Sequence, residues 1–198
     1  MRIYLIFLLL ALPTTALSGG NPQLGKSKVA LCVGCHGTDG NSTSTDYPKL
    51  ASQGEEYLIK QITDFKTGAR VEDYMTPMAE TVKNEDIADI AAYFSSLPIK
   101  TASVKNVNTE QGEKIYTTGI ASKGLAACVT CHGEDGKGIP LAKFPSIANQ
   151  IPEYTAKTLK DFRGGVRHND PQKMMQTIAN KLSDVEISAL SVFVANMK

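Results

Sequence analysis

The sequence predicts an all-α protein built from two tandem copies of one small helical domain. Three observations lead there. First, the halves overlay at a constant offset: Gln53, Tyr57, Asp64, Phe65, Gly68 and Arg70 return 97 residues later as Gln150, Tyr154, Asp161, Phe162, Gly165 and Arg167. An internal repeat of this kind outranks local pattern as a guide to architecture. Second, apolar residues recur three and four apart in several segments while none alternates with period two, so helices should dominate and strands be few. Third, Cys32-Val33-Gly34-Cys35-His36 recurs as Cys128-Val129-Thr130-Cys131-His132, and the two copies use all 4 cysteines.

Taken in order, the chain opens with Met1-Arg2, an apolar run from Ile3 to Leu12 and then small residues around Ala16 and Ser18. A bilayer span needs about 20 apolar residues, so residues 1–20 read as a secretory signal peptide that is cleaved. Residues 21–100 form the first domain, the polar stretch 101–108 a linker, and 109–198 the second domain. Each domain should hold three helices. An N-terminal helix, near 25–35 and 109–131, delivers the Cys-His pentapeptide. The second covers 54–67 and 151–163, with Tyr57, Ile62 and Phe65 at helical spacing. The third starts at Asn84 or Ser183, both good N-caps followed by acidic residues in the first turn. Its apolar positions Ile87, Ile90, Ala91 and Phe94 lie three and four apart. The closing segments match at an offset of 100 rather than 97, so the second half carries a three-residue insertion between Arg167 and its last helix.

C-x-x-C-H is the attachment signature of c-type haem. Two thiols can bond the haem vinyl groups while the adjacent imidazole turns to the iron. Disulfides are the default for cysteines in an exported protein, but they leave the paired histidines without a role. Redox dithiols and zinc knuckles share C-x-x-C but not the histidine at once after it in both copies. Two covalently bound haem c groups are therefore expected, on Cys32, Cys35, Cys128 and Cys131, with His36 and His132 as iron ligands. A domain of about 80 residues has a thin core, which a covalently held macrocycle would complete.

The chain has 3 histidines, so bis-histidine ligation at both irons is impossible within it. The usual alternative is a methionine thioether, which raises the potential. Met75 and Met78 sit in a loop just before the last helix of the first half, Met174 and Met175 in the equivalent loop of the second. Counted back from the last helix, Met75 matches Met175; counted forward from the arginines, Met78 does. The first alignment puts the gap in the loop, where insertions are tolerated, so Met75 and Met175 are the expected sixth ligands. Pro48 and Pro145 follow the ligand histidines by 12 and 13 residues. A carbonyl there would accept from the free ring N–H and fix the tautomer; the alternative is a simple loop kink. His168, in a polar loop, reads as a solvated side chain or as a pH-sensitive group near the second haem. Arg70, Arg167, Lys49, Gln53 and Gln150 read either as propionate partners or as solvated surface.

With 21 basic residues, of which Arg2 lies in the signal segment, against 20 acidic ones, the mature chain is near neutral. It has no basic stripe suited to nucleic acid.

These residues resemble the cytochrome c4 family. The resemblance rests on Cys32–Asn41 as C-x-x-C-H-G-x-D-G-N, on Tyr47-Pro48-Lys49-Leu50 and Gln53-Gly54-Glu55, and on Met75-Thr76-Pro77-Met78. The Asp86–Phe94 helix and, in the second half, Asn169-Asp170 and Ala179–Ser183 extend it over nearly the whole mature chain. It implies two class I cytochrome c domains related by a pseudo-twofold axis, with propionates facing each other and each iron low-spin with His/Met ligation. The family's methionine ligands fall on Met75 and Met175, its carbonyl acceptors on Pro48 and Pro145. The loop before Met75 is shorter than the family's pattern and His168 replaces a small polar residue. The function expected is single-electron transport in the periplasm, without enzymatic turnover. The partners would be a quinol-oxidising complex and a terminal oxidase or another reductase, and the carrier a monomer with peripheral membrane association. The rival is a dihaem oxidoreductase, or the electron-accepting subunit of a dedicated dehydrogenase of the peroxidase or thiosulfate dehydrogenase type.

Overall fold

The computed structural model describes residues 19–101, 104–105 and 107–197; the expected signal peptide lies almost wholly outside them. Ten α-helices and four short 3-10 turns run through the described residues, and the only β pairing among them is two isolated bridges.

In the first half α1 (Pro22–Lys26) starts at Asn21, whose side chain accepts from the amides of Gln23 and Leu24. The single turn α2 (Val33–His36) carries the first pentapeptide. α3 (Glu55–Thr67) has two glutamates in its first turn, where the helix dipole favours negative charge, and ends at Gly68 in the left-handed conformation. α4 (Met75–Glu80) carries the methionines, and the 3-10 turn Asn84–Asp86 leads into α5 (Ile87–Ser96). The second half repeats the order: α6 (Glu110–Thr118), α7 (Val129–His132), α8 (Pro152–Arg163), α9 (Met174–Ala179) and α10 (Asp184–Ala195).

Within each half the last helix is the centre of packing. α5 receives α1 and α3, and α10 receives α6 and α8. The first helix of each half crosses the last at a glycine. A Cβ on Gly25 would lie 2.0 Å from the Asp89 carbonyl oxygen, and one on Gly112 would lie 2.2 Å from that of Ala189. Side chains cannot be accommodated at that approach. Two separate apolar clusters result, one around Val29, Leu58, Ile90 and Phe94, the other around Ile115, Tyr116, Ile187, Leu190 and Val194.

Three expectations need correction. No continuous helix delivers either pentapeptide. α1 stops at Lys26, where the Ser27 hydroxyl bonds the Leu24 carbonyl (2.7 Å) and satisfies the end locally. α6 stops at Gly119 (φ 68°), and a 3-10 turn closed by the Ile120–Leu125 bridge and Gly124 (φ 59°) intervenes before α7. The methionine segments are short helices, not loops. At six residues each they are too short for periodicity to reveal, and Asp170 organises α9 by accepting from the Gln176 amide (3.0 Å). Finally, Ser183 forms a capping box with Glu186, whereas Asn84 makes no side-chain cap and opens a 3-10 turn instead.

The two halves are joined face to face by reciprocal contacts. Gln53 donates to the Ser146 carbonyl and accepts from its amide, both at 2.9 Å. Gln150 does the same to Lys49, at 3.0 and 2.9 Å. Arg70 reaches the Tyr154 hydroxyl (3.3 Å) and Arg167 the Tyr57 hydroxyl (2.9 Å). Each arginine lies over the phenylalanine of its own half, Arg70 on Phe65 and Arg167 on Phe162. Residue i meets residue j, and its repeat meets the repeat of j, which is the signature of a pseudo-twofold axis. Lys49, Gln53, Arg70, Gln150 and Arg167 are all buried, so the alternative of a solvated surface for these five does not hold. Most of their polar groups find partners across the interface, while the Lys49 ammonium donates to the Lys100 carbonyl of its own half (2.6 Å), because a buried unpaired donor or acceptor is costly.

Candidate haem-binding sites

The two pentapeptides adopt the same one-turn geometry. Cys32 and Cys128 occupy the N-cap positions of α2 and α7, and Gly37 (φ 85°) and Gly133 (φ 80°) end the turns directly after the histidines. This brings both sulfurs and the imidazole onto one short element. No disulfide joins the four cysteines. Burial pushes the Cys32 thiol up from its ordinary value and that of Cys128 up to about 11. A redox dithiol needs the opposite shift, towards thiolate.

His36 Nδ1 lies 2.8 Å from the Pro48 carbonyl oxygen, and His132 Nδ1 lies 2.9 Å from that of Pro145. A carbonyl can only accept, so Nδ1 carries the hydrogen in both rings and Nε2 keeps its lone pair. Both histidines are buried. Burial pushes each imidazole below its usual range, against the opposing pull of the proline carbonyl, so both are neutral. His36 Nε2 is buried without a hydrogen-bond partner. A neutral imidazole with one nitrogen tied to a carbonyl and the other left without a partner has the donor set of a metal ligand. With two unpaired thiols beside it in each half, the residues fit a covalently held haem.

Met75 and Met175 are partly buried, while Met78 and Met174 are the exposed members of each pair. His168 is exposed, with Nδ1 3.4 Å from the Val166 carbonyl oxygen, on a loop away from the pentapeptides in sequence. Other side chains escaped the sequence reading. The Tyr116 hydroxyl donates to the Gly133 carbonyl oxygen (2.5 Å) and that of Tyr93 to the Thr38 carbonyl oxygen (3.4 Å), tying α6 and α5 to the chain just after His132 and His36. Gln61 accepts from Arg70 (2.8 Å), Arg167 (3.1 Å) and Asn169 (3.0 Å) and so sits at the centre of the interdomain face. Its repeat position is Thr158, so no matched pair in the duplication pointed to it. Tyr57 and Tyr154 were visible as repeat partners, but nothing in their spacing showed that they cross to the opposite half.

The chain is similar to known proteins in sequence and fold. The sequence model described as "Cytochrome c" matches twice, over residues 23–98 and 109–198. The chain is 42% identical over 200 residues to cytochrome c4 of Pseudomonas aeruginosa, covering all of both chains. It is 32% identical over 197 residues to the thiosulfate dehydrogenase electron acceptor of Stutzerimonas stutzeri, covering 96% of this chain and 91% of that one. The crystal structure of reduced recombinant cytochrome c4 from Pseudomonas stutzeri superposes with a TM-score of 0.87 at 41% identity, over 90% of this chain and 100% of that one. Two c-type haems and a role in electron transfer follow, and the chain belongs to the cytochrome c4 family of dihaem cytochromes c.

Proposed function

We propose that this protein is a periplasmic carrier of single electrons, with Cys32, Cys35 and His36 holding the first haem and Cys128, Cys131 and His132 the second. Met75 and Met175 complete the two irons. The units are residues 21–100 and 109–198, joined through 101–108. A haem held by these residues would supply one-electron iron chemistry, with the histidine and methionine of each half as the protein's ligands. The chain's own residues set its character. Pro48 and Pro145 hold the imidazole hydrogens on Nδ1, which fixes ring orientation and raises the basicity of Nε2. The apolar clusters around each pentapeptide exclude water, and soft thioethers favour the reduced metal. Among the described residues no helix is long and apolar enough to cross a membrane. The carrier is a monomer that meets membrane-bound partners at their surface. A quinol-oxidising complex on one side and a terminal oxidase or another reductase on the other are the partners suited to such a carrier.

The observation that carries this reading is the histidine–proline bond, found in both halves at 2.8 and 2.9 Å, with His36 Nε2 left unpartnered. The test is the methionine-to-iron charge-transfer band of the oxidised protein. Met75→Ala and Met175→Ala should each remove about half of it, and a variant that keeps the full band sinks that ligand assignment. The similarity to a thiosulfate dehydrogenase electron acceptor supports one second reading, that the donor is a dedicated dehydrogenase of that class. Rapid reduction by such an enzyme with thiosulfate, set against reduction by a quinol-oxidising complex, separates the two.

A further inference from the structure

Both methionines of the first half ride on α4, a helix of only six residues. A helix this short is marginal on its own, and beyond the turn in which the Thr81 and Val82 amides reach the Met78 and Ala79 carbonyls (3.3 and 3.1 Å) the backbone gives its C-terminal end no further hold. Lys66, in the last turn of α3, meets that end. Its ammonium lies 3.3 Å from the Ala79 carbonyl oxygen and 3.4 Å from that of Glu80, and it also bonds that of Val82. Three donors on one ammonium thus meet three carbonyls, with the positive charge at the helix end that favours it. Among the described residues, no other side chain from outside α4 and its flanking turns hydrogen-bonds to it. Thr76 and Thr81 serve only the adjoining backbone of Glu72 and Met78.

The second half reaches the same solution with a different residue. Arg163 is the repeat of Lys66 at the offset of 97, and Leu182 the repeat of Val82 at the offset of 100. Arg163 donates to the Leu182 carbonyl oxygen (2.9 Å) and to the Asp184 carboxylate (2.5 Å). A cation at the end of α3 in the first half and of α8 in the second therefore holds the carbonyl just beyond the methionine helix. Chemistry kept while the residue type changes points to a requirement for the cation, not for lysine as such.

We propose that Lys66 is a positioning residue for the sixth iron ligand of the first haem: it clamps α4 to α3 and so keeps the thioether in place. The inference rests on the reading that a methionine of α4 binds that iron. A thioether–iron bond is weak and exchanges with external ligands, so the cost of confining α4 enters its equilibrium directly. Confinement already provided by the clamp is entropy the bond does not have to supply.

The test uses the holoprotein. Carbon monoxide binds ferrous iron only where it displaces the methionine, and the upfield methionine-methyl proton resonances report each haem separately. Lys66→Ala should raise carbon monoxide affinity at the first haem by about tenfold, the effect of removing one charge-assisted hydrogen bond from the methionine-ligated state. It should perturb one methyl resonance and spare the other. Lys66→Arg should restore both, as Arg163 does naturally. An unchanged affinity and resonance in Lys66→Ala, even with a lowered Tm, overturns the proposal, because a merely structural lysine would act that way. Equal effects on both haems, or no rescue by arginine, also overturn it. Met75→Ala and Met78→Ala run in parallel. If Met75→Ala keeps both methyl resonances, the Met75 assignment fails while the Lys66 result still stands for Met78, which rides the same helix; if neither substitution removes a resonance, the ligand reading itself has failed.

Discussion

Replacing Gln150 by leucine should loosen the joint between the two domains by an amount the structure lets us calculate. Gln150 makes three hydrogen bonds: its amide group donates to the Lys49 carbonyl at 3.0 Å, and its carbonyl oxygen accepts from the amides of Lys49 and Ile151, both at 2.9 Å. Both Gln150 and Lys49 are buried, so water does not readily replace the missing partner. Leucine keeps the volume and removes all three bonds. At roughly 1 kcal/mol for each neutral bond, the loss is about 3 kcal/mol. For a protein of this size that corresponds to a fall in Tm of about 6–12 °C. Gln53→Leu should cost a similar amount, since Gln53 makes the same three bonds to Ser146 and Gly54. The assay is denaturant unfolding of the ferric holoprotein, followed both by far-UV circular dichroism and by haem absorbance, with coincident transitions as the condition for extracting a free energy. A loss below about 0.5 kcal/mol in both variants would refute the reasoning, because it would mean that these buried groups find other partners.

Three other outcomes follow from particular contacts. Gly136→Ala should destabilise the second domain by about 1–3 kcal/mol, because Gly136 sits at φ 65° and a new Cβ would meet Met197 Sδ at 2.8 Å; Gly34→Ala, whose Cβ meets nothing within 4 Å, is the control in the same thermal melts. Burial raises the Tyr154 hydroxyl pKa, but the charges of Arg70 and Arg167 outweigh it and bring the group from 10.0 to about 8. The folded state then favours the phenolate, so its stabilisation is complete above the unfolded value and is lost as pH falls through about 8. The stability difference between the parent and Tyr154→Phe should accordingly shrink as pH is taken from 10.0 to about 8, and a difference independent of pH across that window would contradict it. Cys128→Ala with Cys131→Ala should halve the haem content by pyridine haemochrome and reduce the circular-dichroism signal of the second domain, since its core is thin without the macrocycle.

Some of this was legible because it is local. The pentapeptide fixes two sulfurs and an imidazole on one turn, and the capping box at Ser183 is written in four consecutive residues. Helices α3 and α8 needed only apolar spacing and a terminal glycine or proline, and they fall where that pattern puts them. The first helices did not, because the breaks depend on left-handed glycines at 119 and 124 and on how closely Gly25 and Gly112 approach the last helix. Neither is visible as a change in hydrophobic period.

The sequence by itself determined that there are two equivalent domains, which residues repeat between them, and that each carries one Cys-x-x-Cys-His pentapeptide. Duplication and motif spacing are one-dimensional facts, and they survive without any knowledge of packing. Only the tertiary structure decided what the repeated polar residues do. Lys49, Gln53, Arg70, Gln150 and Arg167 have ordinary surface chemistry, and their partners lie in the other half of the chain. Whether such groups are solvated or buried depends on whether a matching donor or acceptor faces them across the pseudo-twofold axis, and that match exists only once both domains have folded and met.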